Sequence, residues 1–149
     1  MRNLGRPSRS DFVQSTLCEA SHNSDIFCSG IVLALREKNP AVKLHCILPC
    51  KEQADKWAAS SRDLYYSILD RAISLVYVSR TYHKNCMLER NRFLVDYAAI
   101  LLAVYNGERR IGTAATLRYA QKMGREIIVI NPITRLISHS NSTRALPQF

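Results

Sequence analysis

Four short runs in this chain are apolar almost without interruption: VKLHCIL at 42–48, SLVYV at 74–78, ILLAVY at 100–105 and EIIVI at 126–130. A strand with one wet face alternates apolar and polar residues, whereas a continuous run of this length bounded by Pro, Asn or Gly reads as a strand buried on both faces. Helical spacing fills the gaps between them. From Ser24, placed to cap, Ile26, Phe27, Ile31, Val32 and Leu35 recur near a helical period, and Pro40 follows the end. Helical material at 51–58 and 60–73 carries Trp57, Leu64, Tyr65, Ile68 and Leu69. Met87 to Ala98 offers Leu88, Phe93, Leu94 and Tyr97, and TAATLRYAQKM occupies 113–123.

Strands buried on both faces and separated by helices imply right-handed crossovers and a parallel sheet covered on each side. The expectation is a Rossmann-like three-layer α/β fold of about four to five strands. DFVQSTLC at 11–18 could add one short strand. The chain is expected to comprise an irregular segment over 1–23, the α/β domain over 24–132 and a flexible tail over 133–149, where periodicity is lost.

A length of 149 residues suits one domain with a sizeable core. No apolar run approaches the roughly 18 residues of a membrane span, so a soluble protein with no membrane partner is expected. The formal charge of +9, from 21 Lys and Arg against 12 Asp and Glu, favours anionic partners: nucleotides, phosphates or nucleic acid. Some of the excess lies in terminal stretches (Arg2, Arg6, Arg9, Arg135, Arg144), where solvated charge needs no partner. Five cysteines lack the paired spacing of a zinc ribbon or disulfide framework, which reads as reduced thiols of a cytoplasmic protein without a metal site. MRNLGRPSRS is followed by no apolar segment, so it does not read as a secretory signal.

In a parallel sheet, ligands gather at the carboxyl ends of strands, where loops run into helix N-termini. NGERRIGTAAT is such a junction: Gly107 and Gly112 allow a turn and Thr113 stands at a helix start, where free N–H groups, the helix dipole and a hydroxyl suit a phosphate. Plain turn chemistry is the alternative. CMLERNR, after the SLVYV strand, is the second place. Arg90 and Arg92 could converge on the same crevice, since the planar guanidinium bonds two phosphate oxygens at once, or they could lie on a solvated helix face. Cys50, behind Pro49 at a strand end, either lines that crevice or is an inert thiol. Asp63, Asp70 and Asp96 could orient arginines or a ribose hydroxyl, or sit on helix surfaces. The histidines are scattered, with His45 read as packed within a strand, and no nucleophile-base arrangement can be read from spacing.

With those residues in hand, the chain from about Asp25 to Pro132 resembles the SLOG superfamily, and within it the YpsA-like branch, formerly DUF1273. The resemblance is carried by LPCKEQADKW, RDLYYSIL, VYVSRTYHKNCMLERNRFLVD and NGERRIGTAATLRYAQKMGREIIVI in that order. It implies a Rossmann-like fold, a bacterial cytoplasmic setting and a nucleotide-type ligand, with no cofactor. The RNR stretch is similar to that of the DprA branch and to MHxRK of the LOG phosphoribohydrolases, which implies ligand-binding roles for Arg90, Asn91 and Arg92. GERRIGTAATLRYA is similar to the LOG motif PGGxGTxxE, with Gly112 and Thr113 on its GT pair. Thr116, a further ligand-binding candidate with Gly112 and Thr113, then stands where that motif has its catalytic glutamate, and Ile111 replaces the first glycine of the YpsA-like GGT. A hydroxyl neither stabilises oxocarbenium charge nor handles the proton at neutral pH, so no catalytic residue is assigned. Asp25 matches the aspartate of the family's GGALGFD loop, whose glycines fall on Glu19, Ala20 and Asn23, and like Cys50 it is a candidate to line the crevice.

Too few residues precede Asp25 for the family's first strand, helix and second strand, so an N-terminally truncated fold is expected, with an unpaired edge and an exposed apolar face. Dimerisation or pairing with another polypeptide would cover it. The sequence thus supports a nucleotide-binding module that is not an enzyme. The alternatives are a DprA-like single-stranded nucleic-acid binder, a glycosidic-bond hydrolase, and a truncated member without ligand binding.

Overall fold

The computed structural model describes residues 15–19, 23–108 and 112–140. Its elements in chain order are β1 (Ser15–Glu19), α1 (Asn23–Lys38), β2 (Lys43–Leu48), a 3-10 turn (Lys51–Ala54), α2 (Ala59–Arg71), β3 (Ser74–Tyr77), α3 (Cys86–Tyr97), β4 (Ile100–Val104), α4 (Gly112–Lys122), β5 (Glu126–Ile130) and β6 (Ile137–Ser140). The β1–β2, β2–β3 and β4–β5 pairs are parallel, each joined through a helix, which is the Rossmann-like α/β pattern expected from the apolar runs. The strands form two three-stranded sheets, β1-β2-β3 and β4-β5-β6, and the chain divides into two compact units between Arg90 and Asn91, within α3. Hydrophobic periodicity reports local burial and not which strands share a ladder, so this division had no counterpart in the single domain expected over 24–132.

In the first unit β2 is the central strand, and every residue from Leu44 to Leu48 is buried, which is why its sequence shows no polar alternation. Ile26, Val32 and Leu33 of α1 and Tyr65, Ile68 and Leu69 of α2 pack in one cluster with Leu44, Cys46 and Leu48. His45 is indeed a packed strand residue. Its Nδ1 lies 2.6 Å from Ser74 Oγ, across the register pair that joins β2 to β3. The expected helix over 51–58 shortens to 3-10 turns, with Asp55 N–H on Glu52 O and Trp57 N–H on Ala54 O. Extended backbone at Ala58 (ψ 146°) then interrupts helical geometry before α2. The segment expected to add a strand near 11–18 does so as β1, in register with β2 from Ser15↔Lys43 to Glu19↔Ile47.

In the second unit Ile127 and Val129 of β5 meet Ala114, Leu117 and Ala120 of α4, joined by Val95 and Tyr105. A three-residue spacing of apolar side chains on α4 makes one buried stripe. The helix ends in a paired-bond cap: Gly124 N–H bonds Gln121 O at 3.0 Å and Arg125 N–H bonds Ala120 O at 3.0 Å. That geometry needs φ +65° at Gly124, where a β-carbon would be strained. On the other face of this sheet Ile100 and Leu102 are more than half exposed.

The sequence reading of 133–149 as a flexible tail differs from the structure at residues 137–140, which form β6, antiparallel to β5. Asn131 makes the turn: its Oδ1 accepts from the N–H groups of Ile133 and Thr134, and its backbone bonds Leu136 and Arg135. ISHS is short, mostly exposed and polar on an edge, so it carries no apolar signal, and the Asn131-Pro132 pair that reads as an ending is the start of a hairpin.

Leu117 is fully buried against β5. Leu117→Ala is expected to lower unfolding free energy by about 2–5 kcal/mol, measured by urea denaturation followed by circular dichroism.

Candidate functional site

The junction after β4 is built from local hydrogen bonds. Tyr105 O–H donates to Glu108 O at 2.9 Å and Glu108 N–H to Asn106 Oδ1 at 3.1 Å, closing a loop over Gly107, whose φ of +97° is the left-handed geometry that glycine serves. Ile111 lies outside the described residues. Gly112 opens α4 outside the left-handed region, and among the described residues a β-carbon built on it would come no closer than 3.9 Å, to Asn91 Nδ2. Of the two glycines expected to serve the turn, Gly107 does so, while nothing in the described backbone or packing requires a glycine at 112.

Asn91 and Thr116 brace the start of α4. The Asn91 amide donates to Thr116 Oγ1 at 2.8 Å, and the Thr116 hydroxyl donates to Gly112 O at 2.9 Å. Asn91 is buried, so its amide is spent on positioning α4 against α3. Thr116, in the position of the LOG glutamate, has its proton committed to the helix backbone. Thr113, half-buried in the first turn, carries its hydroxyl where the first four N–H groups have no intrahelical acceptor and the helix dipole is positive.

The arginines occupy unlike environments. Arg90 is 1% exposed and heads the fully buried side chains by size, with Nη2 4.0 Å from Met87 Sδ on the previous turn. Cys86, Arg90 and Leu94 are all buried at four-residue spacing on α3, a stripe visible in the sequence once a charged residue is allowed into it. Arg92 is exposed, with its guanidinium carbon 5.8 Å from the centre of the Tyr119 ring. Tyr119 lies nearly two turns beyond Gly112, about 10 Å along the helix, so Arg92 rests on the flank of α4. Tyr119 O–H donates to Asp96 Oδ1 at 2.8 Å, and Arg125 Nη2 donates to Asp96 O at 2.9 Å. The hydrogen bond to Asp96 raises the Tyr119 phenol above its ordinary value, with smaller contributions from desolvation and from the Asp96 charge. Of the aspartates considered as orienting groups, Asp96 thus holds Tyr119. Tyr119 and Arg125 were not singled out in the sequence, and only the three-residue step from Thr116 to Tyr119 hints at a shared face.

Cys50 is fully buried, as is Cys86. Burial pushes the Cys50 thiol up, with the neighbouring Cys86 adding to it. That is the environment of an inert thiol rather than a nucleophile. Asp25 falls in the first turn of α1, and its side chain lies outside the described residues. Among the described residues no group of three or more His, Cys, Asp or Glu could hold a metal, and no helix is long and apolar enough to cross a membrane.

Residues 9–134 match the family model for YpsA, described as the YspA SLOG family. A UPF0398 protein of Bacillus pumilus is 30% identical over 100 residues, covering 66% of this chain and 54% of the relative. The SPbeta prophage-derived protein YoqJ of Bacillus subtilis is 27% identical over 112 residues, covering 66% of this chain and 65% of the relative. The chain therefore spans between half and two thirds of the length of these curated relatives.

Because the folded chain holds a proton on Cys50 that the unfolded chain releases, the stabilisation is complete below the ordinary thiol pKa and lost as pH rises through the folded value. Stability is expected to fall above about pH 9. Iodoacetamide at pH 8 should leave Cys50 and Cys86 unmodified while labelling the partly exposed Cys28, as read by peptide mass spectrometry.

Proposed function

The chain belongs to the YspA SLOG family, and on that premise we propose that it is a binding module for a nucleotide or nucleotide-derived ligand, without catalytic activity of its own. The ligand's phosphate sits at the N-terminus of α4, held by the N–H groups of Gly112, Thr113 and Ala114 and by the Thr113 hydroxyl. Arg92, exposed on α3, supplies cationic charge, and Arg90 supports the segment from within. Asn91 and Thr116 position the turn without spending their own groups on the ligand.

The observation that carries this reading is Gly112. Among the described residues its conformation and surroundings admit a β-carbon, so nothing described there gains from glycine. A bound oxyanion pressed against the first turn does, because a methyl group at that position stands between ligand and backbone. Thr116 supports the absence of hydrolysis: the position of the LOG carboxylate holds a hydroxyl whose proton bonds the Gly112 carbonyl.

Isothermal titration with a panel of nucleoside monophosphates tests the reading. Wild type is expected to bind at least one of them. Gly112→Ala should retain its melting temperature yet bind at least tenfold more weakly, the loss of about 1.4 kcal/mol that one or two charge-assisted hydrogen bonds represent. Unchanged affinity in Gly112→Ala, or no binding by folded wild type, would overturn it.

A further inference from the structure

We propose that Cys50 and Cys86 form a modification site, a thiol pair that a peroxide closes to an intramolecular disulfide, clamping the loop over 79–85 to the end of β2. Backbone bonding brings the two together. Beyond the β2–β3 ladder the chain stays zipped, with Val78 N–H on Leu48 O and Ser79 N–H on Pro49 O, both at 2.9 Å, so the loop leaves β3 beside Cys50. Its middle returns to the turn that follows Cys50, since Tyr82 N–H donates to Glu52 Oε2 at 3.2 Å. Its end is set by Cys86 N–H on His83 O at 3.1 Å, with Cys86 the first residue of α3. The two side chains, each fully buried, share a hydrogen bond.

Inertness toward outside reagents does not extend to a neighbour. Thiols held in contact react at the high effective concentration of groups already positioned, and a disulfide asks only that the sulfurs close to about 2.05 Å. Cys46 does not compete for Cys50. Four residues of extended backbone separate them, about 13 Å, well beyond the roughly 7 Å that a disulfide spans between α-carbons. Among the described residues of 80–89 Cys86 alone is buried, so one layer of loop stands between the pair and solvent. A segment with so few buried contacts opens locally at small cost, and peroxide is far smaller than an alkylating agent. One sulfur attacks a peroxide oxygen; the O–O bond breaks, water leaves and a sulfenic acid forms. The second sulfur then attacks the first, the S–O bond breaks, and its thiol proton leaves with the hydroxide as another water. Both thiols are oxidised, one peroxide is reduced, and exchange with an external thiol reverses the step.

The test treats the fully reduced chain with hydrogen peroxide, then denatures it, alkylates it with iodoacetamide and digests it with trypsin in the absence of reductant, which releases LHCILPCK (44–51) and NCMLER (85–90). The expected product is these two peptides joined with the loss of two hydrogens, the alkyl label on Cys46 and none on Cys50. Folded protein should yield at least about tenfold more of it than protein oxidised in urea, where nothing positions the pair. The oxidised chain should melt about 5 °C higher or more, because the cross-link restricts the unfolded chain between residues 50 and 86, and dithiothreitol should restore the starting value. Alkylation of both Cys50 and Cys86 after peroxide, sulfinic acid on either, a predominant link through Cys18, Cys28 or Cys46, equal yields with and without urea, or a melting temperature that does not rise would each overturn the proposal.

Discussion

The hydrogen-bond relay from the Asn91 amide to the Thr116 hydroxyl and on to the Gly112 carbonyl governs the second unit of this protein. It joins α3 to the first turn of α4 over 25 residues of sequence, and it does so from a buried amide that would be costly to leave unpaired. Because its last member is the carbonyl of Gly112, the relay ties the first turn of α4 to α3. Beneath it, Leu117 and Ala120 seat the helix on Ile127 and Val129. Farther along, Tyr119 and Arg125 bind Asp96 through its side chain and its carbonyl, so α4 is anchored to α3 over most of its length. A helix start held this firmly needs little reorganisation to receive an anion, and preorganisation of that kind saves the ordering cost that weakens flexible sites.

The parallel strands were legible because β2 through β5 each carry an unbroken apolar run, although the burial on both faces that such a run implies holds for β2 from Leu44 to Leu48 and not for β4, where Ile100, Leu102 and Val104 are exposed. The edge strand β6 carries none. Its four residues follow a turn whose Asn131 and Pro132 read equally well as the end of ordered structure. The division inside α3 was not legible either, since helical periodicity continues across Arg90 and Asn91. At the site, sequence pattern located Gly112 and Thr113 at a helix start but could not distinguish a glycine required by the backbone from one that is not; Gly107 is the former and Gly112 the latter. The contact between Asn91 and Thr116 depends on how two helices pack, which spacing along one chain does not record. Arg90 reads as a surface charge by residue type, and only its place between Cys86 and Leu94 on the inward stripe of α3 marks it as buried.

Two different economies operate in the two units. In the second, polar side chains of α3 and α4 are bonded to one another. In the first, Cys50 and Cys86 are sealed from solvent beside each other while α1 turns an apolar stripe outward. A buried thiol packs as a small apolar group. The residues of α1 that fill the core, Ile26, Val32 and Leu33, occupy the opposite side of the helix from Phe27, Ile31 and Leu35.

The central claim, that the backbone at the head of α4 receives a nucleotide phosphate, is tested most directly by titrating isotope-labelled protein with adenosine monophosphate and following backbone amide resonances. The account predicts that the largest, saturable shifts fall on Gly112, Thr113 and Ala114, with smaller ones along the Arg92 flank of α3. Saturation with no movement of those three amides, or shifts confined to other regions, would contradict it.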